Sequence, residues 1–148
     1  MKSIVTGGAG FIGSHLVDLL LLQNHDVVVL DNYSTGRKEN LEHVADRIKI
    51  VECDLAAPGK WANEFKDIDW VFHLASLADV VPSIQNPESY HRANVDGTFY
   101  VLQACRHANI KRFVYSASSS CYGIPDTYPT PETAEIRPQY PYALAKRM

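Results

Sequence analysis

Two groups of residues in this chain have types and spacing suited to chemistry. The first is Thr6-Gly7-Gly8-Ala9-Gly10-Phe11-Ile12-Gly13. It lies between an apolar, strand-like Ile4-Val5-Thr6 and a helical pattern running from Phe11 to Gln23. Glycines at such a junction let the backbone turn tightly and approach a diphosphate closely, and the last of them lets the helix pack on the strand. The helix N-terminus then presents free N–H groups and a partial positive charge to the phosphates. Asp31 ends the second strand-like run 18 residues beyond Gly13, the distance at which a carboxylate reaches an adenosine ribose. A carboxylate there repels a 2′-phosphate, which favours NAD over NADP. Arg37 is close enough in sequence to oppose this, but it reads better as a solvated helix-start residue.

The second group is Tyr142-Ala143-Leu144-Ala145-Lys146. Tyr142 and Lys146, four residues apart, share a face if the segment is helical. Pro141 suits the first position of such a helix. Of the eight tyrosines, Tyr142 alone has a lysine four residues on. A phenol has a reference pKa of about 10, and making it a base near pH 7 takes roughly 4 kcal/mol of phenolate stabilisation. A neighbouring ammonium, an oxidised nicotinamide and a helix N-terminus all act in that direction. Taken alone, a Tyr–Lys pair at this spacing is an ordinary exposed helix pair. Downstream of a dinucleotide turn it becomes a candidate catalytic pair.

The elements that must position these residues follow from periodicity. Ile4–Thr6, Val27–Leu30, Ile48–Cys53, Trp70–Leu74 and Phe113–Ser116 read as strands. Val27–Leu30 is a continuous apolar run of the kind buried on both faces of a parallel sheet. Helical patterns lie near Lys38–Ala45, near Lys60–Phe65 and from about Glu88 to Ala108. In Phe11–Gln23 the residues Ile12, Leu16, Leu19, Leu20 and Gln23 share one face. In the long helix Tyr90, Asn94, Thr98 and Val101 do so. Alternating strands and helices predict right-handed βαβ units on a parallel sheet. The expected fold is α/β, a Rossmann-type doubly wound sheet with five strands in the order 3-2-1-4-5, forming one dinucleotide-binding domain over residues 1–148. The proline-rich segment from Ile124 to Pro141 reads as a loop.

Composition excludes several classes. The net charge is -3, with 14 basic and 17 acidic residues and no basic stripe, which argues against nucleic acid or an anionic membrane as partner. The richest apolar stretch, Leu16–Leu22, is interrupted by Asp18 and is too short to span a bilayer. Met1-Lys2 leads straight into a strand, so no secretory signal is expected. Cys53, Cys105 and Cys121 are widely spaced and read as buried, reduced thiols of a cytoplasmic protein. No Cys/His cluster suggests a metal.

Taken together, these motifs resemble the extended short-chain dehydrogenase/reductase family, the NAD-dependent epimerase/dehydratase group. Besides the two constellations, the resemblance rests on Asp31-Asn32, Asp54-Leu55, His73-Leu74-Ala75, Asn94-Val95-Asp96-Gly97-Thr98 and Ser116-Ala117-Ser118-Ser119-Ser120-Cys121-Tyr122-Gly123. It implies that Gly7, Gly10, Phe11, Ile12 and Gly13 form the diphosphate loop and that Asp31 and Asn32 hold the adenosine ribose. Asp54 and Leu55 then meet the adenine, and Leu74, Ala75 and Ser76 line the far side of the cofactor, with Asn94 bracing them. Ser118 bonds the reacting sugar hydroxyl, Tyr142 is the base, and Lys146 holds the nicotinamide ribose. His73 reads instead as a satisfied histidine at a strand end, and Ser119 and Ser120 as turn formers.

The resemblance further implies a nucleotide-sugar substrate, UDP-linked, and a homodimer for the full-length protein. Related dehydratases and decarboxylases carry an acid two places after the catalytic Ser/Thr, and dehydration needs a proton donor for the leaving hydroxyl. Here Ser120 occupies that place, with Ser119 before it. That pattern resembles 4-epimerases working through a transient 4-keto sugar, particularly those acting on UDP-N-acetylhexosamines or UDP-hexuronates. A dehydratase or reductase on the same scaffold, and a non-catalytic NAD-binding fragment, remain the alternatives. The chain stops at Met148, soon after Tyr142, with five strands where six are usual. It is therefore expected to be cut before the sixth strand and the substrate-binding portion, and to be inactive alone.

Overall fold

A computed structural model describes residues 1–148. Five parallel strands form one sheet: β1 (Lys2–Thr6), β2 (Asp26–Asp31), β3 (Ile48–Glu52), β4 (Trp70–His73) and β5 (Arg112–Tyr115). Their order is β3-β2-β1-β4-β5, the one expected of a Rossmann-type doubly wound sheet. The chain winds outward from β1 in one direction and then, after β3, returns to the other side. The reversal lies between β1 and β4, where Thr6 is in register with His73. Ligand crevices in open α/β sheets form at such a point, beyond the carboxyl ends of the strands.

Period-two alternation splits the core into two. Ile4 and Leu30 point into one cluster with Phe65, Val71 and Val101. Their strand neighbours Val5 and Val29 point into the other, with Val17, Leu20 and Leu41. The central strands are thus covered on both faces, while β3 and β5 form the more exposed edges.

Helix α1 (Phe11–Leu22) follows the glycine turn, but a different face is buried from the one its periodicity suggested. Gly13, Ser14, Val17, Leu20 and Leu21 face the sheet, whereas Ile12 and Leu19 are 64% and 50% exposed. The cause is backbone contact. A Cβ at Gly13 would collide with the Gly7 carbonyl and lie 2.7 Å from the Gly8 Cα, so Gly13 must face inward and it sets the rotation of the helix. A helix apolar on nearly every side gives no periodic signal strong enough to reveal this.

The segments Lys38–Val44 and Lys60–Phe65 are 3-10 helices rather than α-helices. A short helix α2 (Val80–Gln85), which periodicity did not indicate, precedes the long one. The long helix is composite. Asn86 caps α3 (Pro87–His91) through Ser89 N–H, a π-helical turn spans Arg92–Asp96, and α4 (Gly97–Ala108) completes it. Tyr90, Asn94 and Val101 are buried along it. Residues 123–140 form the loop expected from the prolines, and α5 (Pro141–Arg147) packs against α2 and α3.

Candidate functional site

A cleft of about 440 Å³ opens at the topological reversal. Its floor is the β1–α1 turn. Gly7 has φ +68°, and a Cβ there would sit 2.7 Å from the Ala75 nitrogen. Glycine at this position therefore lets the turn close against the chain leaving β4. Gly10 caps α1 with no side-chain hydrogen bond, and there is no acid in the first turn. Ser14 is the first residue of α1 whose N–H meets a carbonyl, that of Gly10. The N–H groups of Phe11, Ile12 and Gly13 are left for a ligand, and all three residues line the cleft. Unpaired donors on a helix terminus with no side chain in the way fit a diphosphate group.

Asp31, at the end of β2, is buried and accepts two backbone N–H bonds, from Ala9 at 2.9 Å and from Tyr33 at 2.8 Å. It ties the glycine turn to the loop after β2 while lining the same cleft. Asn32, Asp54, Leu55, Leu74, Ala75 and Ser76 line it too. Asp54 pairs with Arg92 and accepts from Ala56 N–H, and these bonds hold its carboxyl below the usual range despite partial burial. Asn94 is not in the wall. Its side-chain amide accepts from the Leu77 N–H at 2.8 Å and donates to the Leu77 carbonyl at 2.9 Å, and so fixes the lining strip after β4 from behind.

The Tyr–Lys pair enters from the opposite side. Pro141 stands at the start of α5, which places Tyr142 in the first turn. Tyr142 and Lys146 are 9% and 7% exposed, and both line the cleft. Tyr142 meets the ring of Tyr90 edge-on at 6.4 Å. The Lys146 ammonium donates to the Ser116 carbonyl at 2.8 Å and lies 4.8 Å from the centroid of the Tyr115 ring. Burial lowers its pKa to about 8.

Ser118 is the one candidate catalytic residue that the structure leaves outside the cleft lining, which stops at Ser116 and Ala117. It caps the 3-10 turn Ser119–Tyr122 and shares a 2.8 Å hydrogen bond with the Ser120 hydroxyl. Cys53 departs from its expected burial. It is only half-buried and lines the cleft, where burial and the carboxylates of Asp31 and Asp54 push its thiol up to about 11. Ser34, Thr35, Gly36, Leu77 and Ala78 also line the cleft. Sequence reading missed them because loop residues carry no periodic signal. Arg37 is exposed and lies outside the lining. His73 is satisfied as its position suggested, with Nδ1 bonded to Thr6 Oγ1 and Nε2 to Thr98 Oγ1.

The sequence model of the NAD dependent epimerase/dehydratase family matches residues 3–148. The chain belongs to that family. A UDP-glucose 4-epimerase of Mycolicibacterium smegmatis is 41% identical over 99% of this chain and 48% of its own length. UDP-glucuronic acid decarboxylase 1 of Arabidopsis thaliana is 38% identical over 90% of the chain and 30% of its own length. A UDP-glucose 4-epimerase from Bifidobacterium longum, solved in complex with NAD+ and UDP, superposes with a TM-score of 0.93 at 31% identity. That superposition covers 99% of this chain and 46% of the other. The chain therefore spans about half the length, or less, of these relatives. No helix in it is long and apolar enough to cross a membrane.

Proposed function

We propose that residues 1–148 form the NAD-binding domain of a nucleotide-sugar 4-epimerase, with the nucleotide of a UDP-linked substrate held by residues outside this sequence. The observation that carries the reading is a single cleft that holds three features at once. These are the uncapped N-terminus of α1, the buried Asp31 carboxylate, and the buried pair Tyr142 and Lys146. The first two fit a dinucleotide with a free ribose 2′-hydroxyl, and NAD+ when bound supplies a hydride acceptor and, once reduced, a donor.

The chain's own residues then handle protons and position. Tyr142 takes the proton of the sugar 4-hydroxyl, and returns it after the transient 4-keto sugar has turned over in the site. Lys146 holds the ribose near Tyr142 and places a positive charge beside the oxygen that becomes negative. Ser118 donates to the sugar oxygen as charge develops on it. This requires its hydroxyl to turn from Ser120 toward the cleft when substrate is present. Epimerisation is favoured over dehydration because Ser119 and Ser120 offer no carboxyl to protonate a leaving hydroxyl.

The same reading places the protein in the cytoplasm and makes the full-length form a homodimer. The exposed Phe99 and Leu102 on α4 are a surface suited to self-association. The test is to incubate the full-length protein with a panel of UDP-hexoses, UDP-N-acetylhexosamines and UDP-hexuronates, with no added redox partner. Interconversion of C4 epimers is expected. Net consumption of reduced cofactor, or a 4-keto-6-deoxy product, assigns a reductase or dehydratase instead.

A further inference from the structure

Lys146 is a buried cation with no anionic partner. None of the chain's ion pairs includes it, and its hydrogen bond goes to a neutral carbonyl, that of Ser116. Beside it lies the face of Tyr115, 4.8 Å from the ammonium to the ring centroid. We propose that Tyr115 is a positioning residue for Lys146, its ring face serving as the neutral counter-partner that keeps the buried ammonium charged and fixed at the wall of the cleft. The inference rests on the reading of Lys146 as the cleft's working cation.

The geometry around Tyr115 suits that task. Its ring stacks on the imidazole of His73 at 5.9 Å and 23°. His73 is itself clamped between Thr6 and Thr98. The orientation of the π face is thus passed from β1 through β4 to β5 and on to α5. Burial raises the Tyr115 phenol above its ordinary value, so the ring meets Lys146 as a neutral quadrupole and not as a phenolate. Burial also lowers His73 to about 3, so the imidazole behind the ring adds no competing charge at neutral pH. A cation over an aromatic face gains most where water is excluded.

The titratable groups around Lys146 are few. They are Tyr142 on α5, Tyr115 on β5, His73 on β4 and Cys121 in the turn after β5, with Tyr90 on α3 packed against Tyr142. Asp79, before α2, acts on Tyr90. Glu88 and His91 of α3 line a separate groove along α5 with Leu144 and Met148. None of these supplies Lys146 with a carboxylate. With its pKa already down to about 8, the ammonium has little margin, and loss of the ring should make it titrate within the working pH range.

The experiment uses the full-length protein and its Tyr115→Leu and Tyr115→Phe variants. Lysines are reductively methylated with 13C, the Lys146 resonance is assigned by its absence in Lys146→Arg, and its titration is followed by NMR beside the pH profile of turnover. Tyr115→Leu is expected to lower the Lys146 midpoint and the alkaline limb of turnover by about one pH unit. Tyr115→Phe, which keeps the face, is expected to keep both. If Tyr115→Leu does not fold, Tyr115→Met is read in the same way. A parental midpoint in the Leu or Met variant, or a shift in Tyr115→Phe as large as theirs, overturns the proposal. Lys146→Met separates the two levels. If it binds NAD and turns over substrate like the parent, the reading of the site fails. If it is impaired while Tyr115→Leu titrates like the parent, only the role of Tyr115 fails.

Discussion

Thr6 and His73 sit opposite one another in the β1–β4 register, and their side chains share a 2.7 Å hydrogen bond at the point where the sheet reverses direction. The bond joins the strand that feeds the glycine turn to the strand that feeds the far wall of the cleft. The buried imidazole is also a source of pH dependence. Burial lowers the folded pKa of His73 from 6.5 to about 3. Between those values the unfolded chain binds a proton that the folded chain does not, so stability rises with pH in that window. Stability should be at its full value above about pH 6.5 and fall as the pH drops toward 3. Thermal melts of the parent and His73→Gln across pH 4–7 check this. The variant should show the shallower slope, and equal slopes would remove His73 from the account.

The approach of Gly7 to Ala75 predicts a sharp steric limit. Gly7→Ala forces a side chain into φ +68° and against the backbone of Ala75. A left-handed conformation alone costs about 1–2 kcal/mol, and the clash adds to it. The expected result is a lower melting temperature together with NAD affinity reduced more than tenfold, measured by calorimetric titration. Unchanged affinity would mean that the turn does not meet the cofactor.

Asp31 predicts a change in cofactor choice. Its carboxylate repels a 2′-phosphate, and it also closes the turn through Ala9 and Tyr33. Asp31→Ser should weaken NAD binding and raise the ratio of NADP to NAD affinity. Titration with both cofactors reads the ratio, which a purely structural role for Asp31 would leave at its parental value.

Ser118 predicts a split between rate and binding. Ser118→Ala should lower kcat by about 10²-fold, as removal of one oxyanion donor does elsewhere, while KM changes little. Loss of the cap on the 3-10 turn should cost a further ~1 kcal/mol of stability. If kcat holds at the parental value, the hydroxyl stays on Ser120 throughout the reaction.

The sheet was legible because its signals are strong and local. Val27–Leu30 has no polar residue, the glycine run is flanked by a strand and a helix, and Pro141 marks the start of α5. Other features depend on tertiary contact and were not. Gly13 sets which face of α1 is buried, and helical spacing cannot report a collision with the Gly7 carbonyl. Lys38–Val44 and Lys60–Phe65 have compositions that suit either helix type, and whether they tighten to 3-10 geometry is decided by their ends and their packing. In the site, the cleft residues on glycine, strand-end and helix-start positions were legible. Cys53 and the strip from Leu77 to Ala78 were not, since Cys53 is set in the wall by the bond of its N–H to the Asp31 carbonyl beyond β3, and the strip by Asn94. The link from Tyr115 to Lys146 crosses from β5 to α5 and has no counterpart in spacing along the chain.

The central claim is that one cleft holds NAD and that Tyr142 performs the proton transfer there. Its most direct test is Tyr142→Phe in the full-length protein, with NAD binding and C4 epimerisation of a UDP-sugar measured on the same preparation. The account predicts parental NAD affinity and no detectable turnover. Epimerisation at the parental rate would contradict it.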